Sequence, residues 1–217
     1  MKDSVFQILS YLAITANFIP LVLVKIKRLW NQKAFLLFAI YWAVSGIINI
    51  LDLIPGISKS QTEIITVVYN MLDIPIVLGI IHYTTASLRI RLFTKIASPS
   101  FLLLQLINFS VKGWHYDAAK YVLAIGLLLV LFVVVWEIYL YMSKLEHSDY
   151  EKAIIFIHVS LLFAYGTFVI IYVFDYLISI GNSSIGNFIV YYISTLIALA
   201  IASIGYFSAG ASRKLAN

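Results

Sequence analysis

The chain has 217 residues, of which 62% are hydrophobic and 12% charged, with a net charge of +5, no cysteine and a mean hydropathy of +0.97. Charged residues alone make up about a quarter of an ordinary soluble domain, so this composition excludes a soluble globule and makes lipid the natural solvent. The lack of cysteine excludes disulfides, thiolate chemistry and cysteine-held metal or iron–sulfur centres.

A bilayer core about 30 Å thick takes roughly 20 apolar residues per helix. Seven runs answer to that description: 5–24, 35–55, 63–84, 98–114, 119–143, 152–178 and 187–209. The segments between them are short and hold the charges and turn formers, as in KIKRLWNQK (25–33), PGISKSQ (55–61) and SIGNSSIGN (179–187). The expectation is an all-α integral membrane protein, a single seven-transmembrane helix bundle over 1–217 with no separate soluble domain. The first run fills the bilayer and no small-residue cleavage motif precedes KIKR, so it reads as a span and not as a signal peptide. LDLIP (51–55) and MLDIP (71–75) look alike but fall at different places in their spans, and read as a chance echo.

Basic residues near span ends resist translocation, while acids matter little. Lys25, Lys27, Arg28, Lys33, Arg89, Arg91, Lys95, Lys144, Lys152, Arg213 and Lys214 fall on one side; Lys2, Lys59, Lys112 and Lys120 fall on the other. This asymmetry expects the N-terminus outside and the C-terminus in the cytoplasm, in a multi-pass protein of the cell membrane. The charges are scattered over short segments, so anionic headgroups explain them better than nucleic acid does. Trp30 and Trp114, at opposite span ends, read as interfacial anchors.

Polar residues inside the spans follow helical spacing, which puts them on shared faces. Tyr41, Ser45, Asn49 and Asp52 form one stripe on the second span, and Glu63, Thr66, Asn70 and Asp73 form another on the third. His158, Tyr165, Tyr172 and Asp175 share a face of the sixth, and Asn187, Tyr191, Ser194 and Thr195 lie similarly on the seventh. A charged side chain at a span centre costs roughly 2.5–3.5 kcal/mol on insertion scales, so such groups face protein or water. With the orientation above, most of them fall in the outer half, and the inner half is nearly all apolar. The expectation is an outward-facing polar cavity whose ligand-binding residues are Tyr11, Asn49, Asp52, Asn70, Asp73, Asn108, Tyr172, Asp175, Tyr191 and Thr195. Pro75, two residues past Asp73, removes one backbone donor and kinks the third span.

Glu137 and His158 stand apart, near the turn between the fifth and sixth spans, and form a candidate proton gate or a clamp between neighbouring helices. No catalytic set and no metal-ligand spacing appears, nor does any HExxH, GxSxG or Walker pattern. His82 and His115 lie at span ends without ligand-spaced companions.

Pro75 in the third span, the tyrosine-bearing FAYGTFVIIY (163–172) in the sixth and the glycine of IASIGYF (201–207) in the seventh give the chain an architecture that resembles the microbial rhodopsins. That resemblance implies a seven-helix fold with the N-terminus outside. In that family the seventh helix carries the lysine that binds retinal, with an aspartate about one turn before it, and the third helix carries an arginine. LALAIASIGYFSAG has neither lysine nor aspartate and the third span lacks the arginine, which argues against a retinal Schiff base. No cofactor is expected.

Three functions fit these residues. The first is a receptor or sensor that binds a small or lipid-like ligand in the outer cavity and signals to a cytoplasmic partner. The second is a proton-coupled small-molecule transporter with Asp73 as its central acid. The third, ranked last, is an intramembrane enzyme acting on a lipid through carboxylates such as Asp52 and Asp73.

Overall fold

In a computed structural model of the chain, the described residues are 2–51, 54, 56–114, 116–173 and 184–211. All their regular structure is helical: α1 (Lys2–Ala16), α2 (Ile19–Ile26), α3 (Lys33–Leu51), α4 (Lys59–Thr84), α5 (Leu88–Lys112), α6 (Tyr116–Met142), α7 (Asp149–Val173) and α8 (Ser184–Ala211). Among the described residues, seven stretches are long and apolar enough to cross a membrane, with α1 and α2 together forming the first. The protein is therefore a multi-pass membrane protein in architecture, as its composition requires.

The first span is not one helix. Asn17 turns its side-chain amide back on the Ala13 carbonyl at 2.8 Å, and Phe18 closes a tighter bond to Thr15. Pro20, at the start of α2, has no N–H to return to Ala16, so the chain restarts there instead of continuing. At its other end α2 stops in a left-handed residue, Arg28, with φ 55°, and Leu29 donates back to the Val24 carbonyl at 2.9 Å. This is the closing bond of a helix C-terminus that glycine usually provides.

The fourth span begins ten residues earlier than its hydropathy indicates, at Leu88 and not at 98. Arg89, Arg91 and Lys95 read as loop residues, yet they lie in regular helix. Ser87 caps the helix by accepting from Ile90, and the Arg91 guanidinium folds onto the Thr85 carbonyl at 2.9 Å while its own carbonyl meets His82 Nδ1 at 2.9 Å. The charge is thus spent on the turn between α4 and α5, and Leu88, Leu92 and Ile96 are left exposed, as lipid-facing residues would be. Reciprocal capping boxes start two other helices, Ser58 with Gln61 for α4 and Ser148 with Glu151 for α7. Glu151 also forms an ion pair with Lys144.

The described residues group into two compact units. The first comprises Met1–Gly46 and Val134–Asn217. In it α7 packs along α8, and α8 also meets α1 and α2. Two glycines set its close approaches. A Cβ on Gly205 of α8 would stand 2.6 Å from the Ala153 carbonyl oxygen of α7, and one on Gly46 of α3 would stand 2.8 Å from Asn17 Cβ at the helix break. Tyr206 ties α8 to α3 by donating to the Phe35 carbonyl at 3.0 Å.

The second unit comprises Ile47–Val133, and its centre is the packing of α4 on α5. Val67 and Met71 of α4, Phe109 of α5 and Ala118 of α6 make one apolar cluster. One level along, a Cβ on Gly126 of α6 would meet the Phe101 ring at 2.4 Å and Ile74 at 2.9 Å, so three helices converge there only because that residue is glycine. Pro75 leaves the Met71 carbonyl without its helical partner. Its own carbonyl gains the Ser98 hydroxyl of α5 at 3.0 Å, directly before the second in-helix proline, Pro99.

Candidate functional site

The residues singled out from the sequence divide between the two units. In the second, Asp73 is buried at 8% exposure on α4, with Asn70 one turn before it and Asn49 on α3, both half-buried. Asn108 of α5 donates to the Ala118 carbonyl at 2.6 Å and so joins α5 to α6. Gln105, unremarked in the sequence, is more deeply buried than any of these at 1% exposure, and its Oε1 has no hydrogen-bond partner. It lies one turn from Phe101 and one from Phe109, on the face of α5 that packs inward. Its spacing of three to Asn108 and seven to Lys112 is the signal that would have marked it.

In the first unit, Tyr11 is 57% exposed on the outer face of α1. Tyr172 and Tyr191 are half-buried, and Tyr191 stacks on Phe168 at 5.6 Å with ring planes 20° apart. Thr195 is buried, with its hydroxyl donated to its own helix at the Tyr191 carbonyl. Asp52 and Asp175 lie outside the described residues. Of the candidate gate, Glu137 stands close enough to Tyr150 for its charge to act on the phenol, and Tyr150 packs edge-on against Phe35. His158 packs edge-on against Phe38, about one turn further along α3. His158 Nε2 has no hydrogen-bond partner, so no bond joins it to Glu137 through that nitrogen.

The interior between α3, α7 and α8 has an organisation that single stripes did not show. The Tyr41 and Tyr165 hydroxyls pair at 3.1 Å, and Tyr41 lies edge-on to Trp42. Trp42, His158 and Ser194 are each at least 95% buried, and Trp42 Nε1, His158 Nε2 and Ser194 Oγ all lack a hydrogen-bond partner. Leaving such a group unpaired costs about 1–3 kcal/mol, and native interiors keep few of them. The same unit also has unpartnered atoms at the helix break, such as Asn17 Oδ1, and near turns, such as Gln32 Oε1 and His147 Nδ1.

Helical rise relates the three in depth. Phe38 marks the level of His158, Trp42 is one turn further on, Tyr41 marks the level of Tyr165, and Ser194 is one turn from the Tyr191 that stacks on Phe168. Ala164 of α7 and Ala198 and Ala202 of α8 are buried small residues of the same two helices. Among the described residues no cluster of His, Asp or Glu has the form of a metal site. Comparison with protein families, with curated proteins and with solved structures finds no match.

Proposed function

We propose that this protein is a receptor- or sensor-like membrane protein that holds a small or lipid-like ligand in the interior formed by α3, α7 and α8, with its N-terminus outside and a cytoplasmic partner carrying the signal. One observation carries the reading: three buried polar atoms of the first unit, Trp42 Nε1, His158 Nε2 and Ser194 Oγ, have no partner in the protein itself. A bound molecule supplies the missing hydrogen bonds, and the rings around it supply apolar contact. In this reading the likeness to the microbial rhodopsins is one of helix number, and no retinal is involved.

The test uses purified protein in lipid nanodiscs and in sealed liposomes. A receptor-like protein is stabilised against heat by apolar extracts of its own membrane, and it retains that ligand with the membrane de-energised. Net accumulation of the extracted ligand inside energised liposomes would contradict it. A second reading, a proton-coupled transporter, draws support from Asp73 and the unpartnered Gln105 on helices that each carry a proline. It expects uptake that Asp73→Asn abolishes.

A further inference from the structure

We infer that the turn between the first and second spans, residues 25–33, is a docking surface for the phosphate headgroup of an anionic lipid, with Lys25 and Lys33 as its principal cations. This surface is independent of the ligand proposed for the helix interior.

Lys25, Lys27, Arg28 and Lys33 crowd into one short turn, and no acidic residue occurs in the sequence between Asp3 and Asp52. Lys25 and Lys33 are exposed, and neither forms an ion pair among the described residues. Other basic turns use their charge internally. Between α6 and α7, Lys144 pairs with Glu151 and Lys152 with Asp149, and between α4 and α5 the Arg91 guanidinium is folded onto the Thr85 carbonyl.

The backbone keeps the cations of this turn close together. Arg28, in the left-handed region, donates to the Lys25 carbonyl at 3.2 Å, and Gln32 donates to the Leu29 carbonyl at 2.9 Å directly before Lys33. Two tight turns thus join the end of α2 to the start of α3, and the buried side chain of Leu29 pins the loop between them. Lys27 Nζ lies 4.7 Å over the Phe207 ring of α8, which holds one more ammonium at the edge of the same turn.

The apolar neighbours favour a lipid over a soluble anion. Ile26 is 66% exposed and Trp30 50% exposed beside these cations, as suits residues at headgroup depth. A soluble anion would meet the ammonium groups alone, whereas a lipid brings its phosphate to Lys25 and Lys33 and its upper chain to Ile26 and Trp30. Each Lys or Arg at a membrane surface raises the affinity for anionic lipid by up to about fivefold.

The experiment places the full chain in phosphatidylcholine nanodiscs doped with phosphatidylglycerol, or with further phosphatidylcholine, brominated high on one acyl chain. Quenching of Trp30 fluorescence is read as the difference from Trp30→Phe. Brominated phosphatidylglycerol should quench at about a tenfold lower mole fraction than brominated phosphatidylcholine, and about 0.5 M salt should erase most of that preference. Lys25→Gln and Lys33→Gln should each lower it about two- to fivefold. Lys144→Gln and Lys152→Gln, which remove cations already paired, should leave it within about twofold. Equal quenching by the two lipids overturns the site. A preference that survives in the Lys25→Gln, Lys33→Gln double variant overturns the assignment to these lysines. Loss of the preference on adding millimolar inorganic phosphate assigns the surface to a free anion and overturns the lipid.

Discussion

Among the described residues the two units differ in the buried hydrogen-bonding capacity they leave over, Gln105 Oε1 in the second and several atoms, Trp42 Nε1, His158 Nε2 and Ser194 Oγ among them, in the first. In the second, Ser98 bonds the Pro75 carbonyl, Asn108 bonds the Ala118 carbonyl and Thr94 bonds the Ile90 carbonyl, so polar groups serve as ties to backbone. In the first, the Tyr41–Tyr165 pair joins two side chains, and beside it three buried polar atoms remain without partners. A polar residue within a span therefore does not mark a site by its presence. Hydrogen-bonding capacity left over after the helices have used what they need is the better marker, because an unused buried donor is expensive to keep.

This contrast can be strained by substitution, and the largest effect should come from the closest helix contact. Gly205→Ala puts a methyl group against the Ala153 carbonyl, a backbone atom that cannot turn aside. It should cost about 3 kcal/mol in the unfolding of the first unit, seen as a lowered denaturant midpoint in mixed micelles. Gly126→Ala in the second unit meets a ring instead, and a ring can swing away. Its cost should be nearer 1–2 kcal/mol, and Phe101→Leu in the same chain should recover most of it, giving a clear coupling in a double-mutant cycle. A rescue that fails would place the contact elsewhere.

Tyr206→Phe removes a buried hydrogen bond to the Phe35 carbonyl while keeping the ring, and should lower stability by about 1 kcal/mol. Smallest of all, Ser148→Ala opens the capping box of α7 and should cost about 0.5–1 kcal/mol, a change that thermal unfolding in nanodiscs can resolve. An effect of Ser148→Ala larger than that of Gly205→Ala would invert the ranking and with it the view that close helix contact, more than capping, holds the first unit.

Hydropathy makes the spans legible because lipid leaves the chain few choices, and runs such as 119–143 sit almost where α6 lies. What it missed had local causes. The break at Asn17 was hidden by an unbroken apolar run, and its signals, an Asn able to bond its own helix and a Pro three residues later, are chemical and not hydropathic. The early start of α5 was hidden by Arg89 and Arg91, whose charge looks like loop until Arg91 is seen folded onto the Thr85 carbonyl.

The candidate site was legible only in part for a related reason. Spacing shows which residues share a face, so Tyr165, Tyr191 and Ser194 stood out as members of stripes. It cannot show which hydroxyl is already bonded to its own helix, as Thr195 is, and which is not, as Ser194 is. Trp42 carried no signal because it belongs to an apolar run, and its importance comes only from the burial of its N–H.

Ser194→Ala offers the sharpest test of the claim that this interior is built for a bound molecule and not for itself. In ligand-free protein the substitution deletes a buried hydroxyl that bonds nothing, so the unfolding free energy should stay level or rise. A loss of about 1 kcal/mol or more would mean that the hydroxyl has a structural partner, and the account of the first unit would fall.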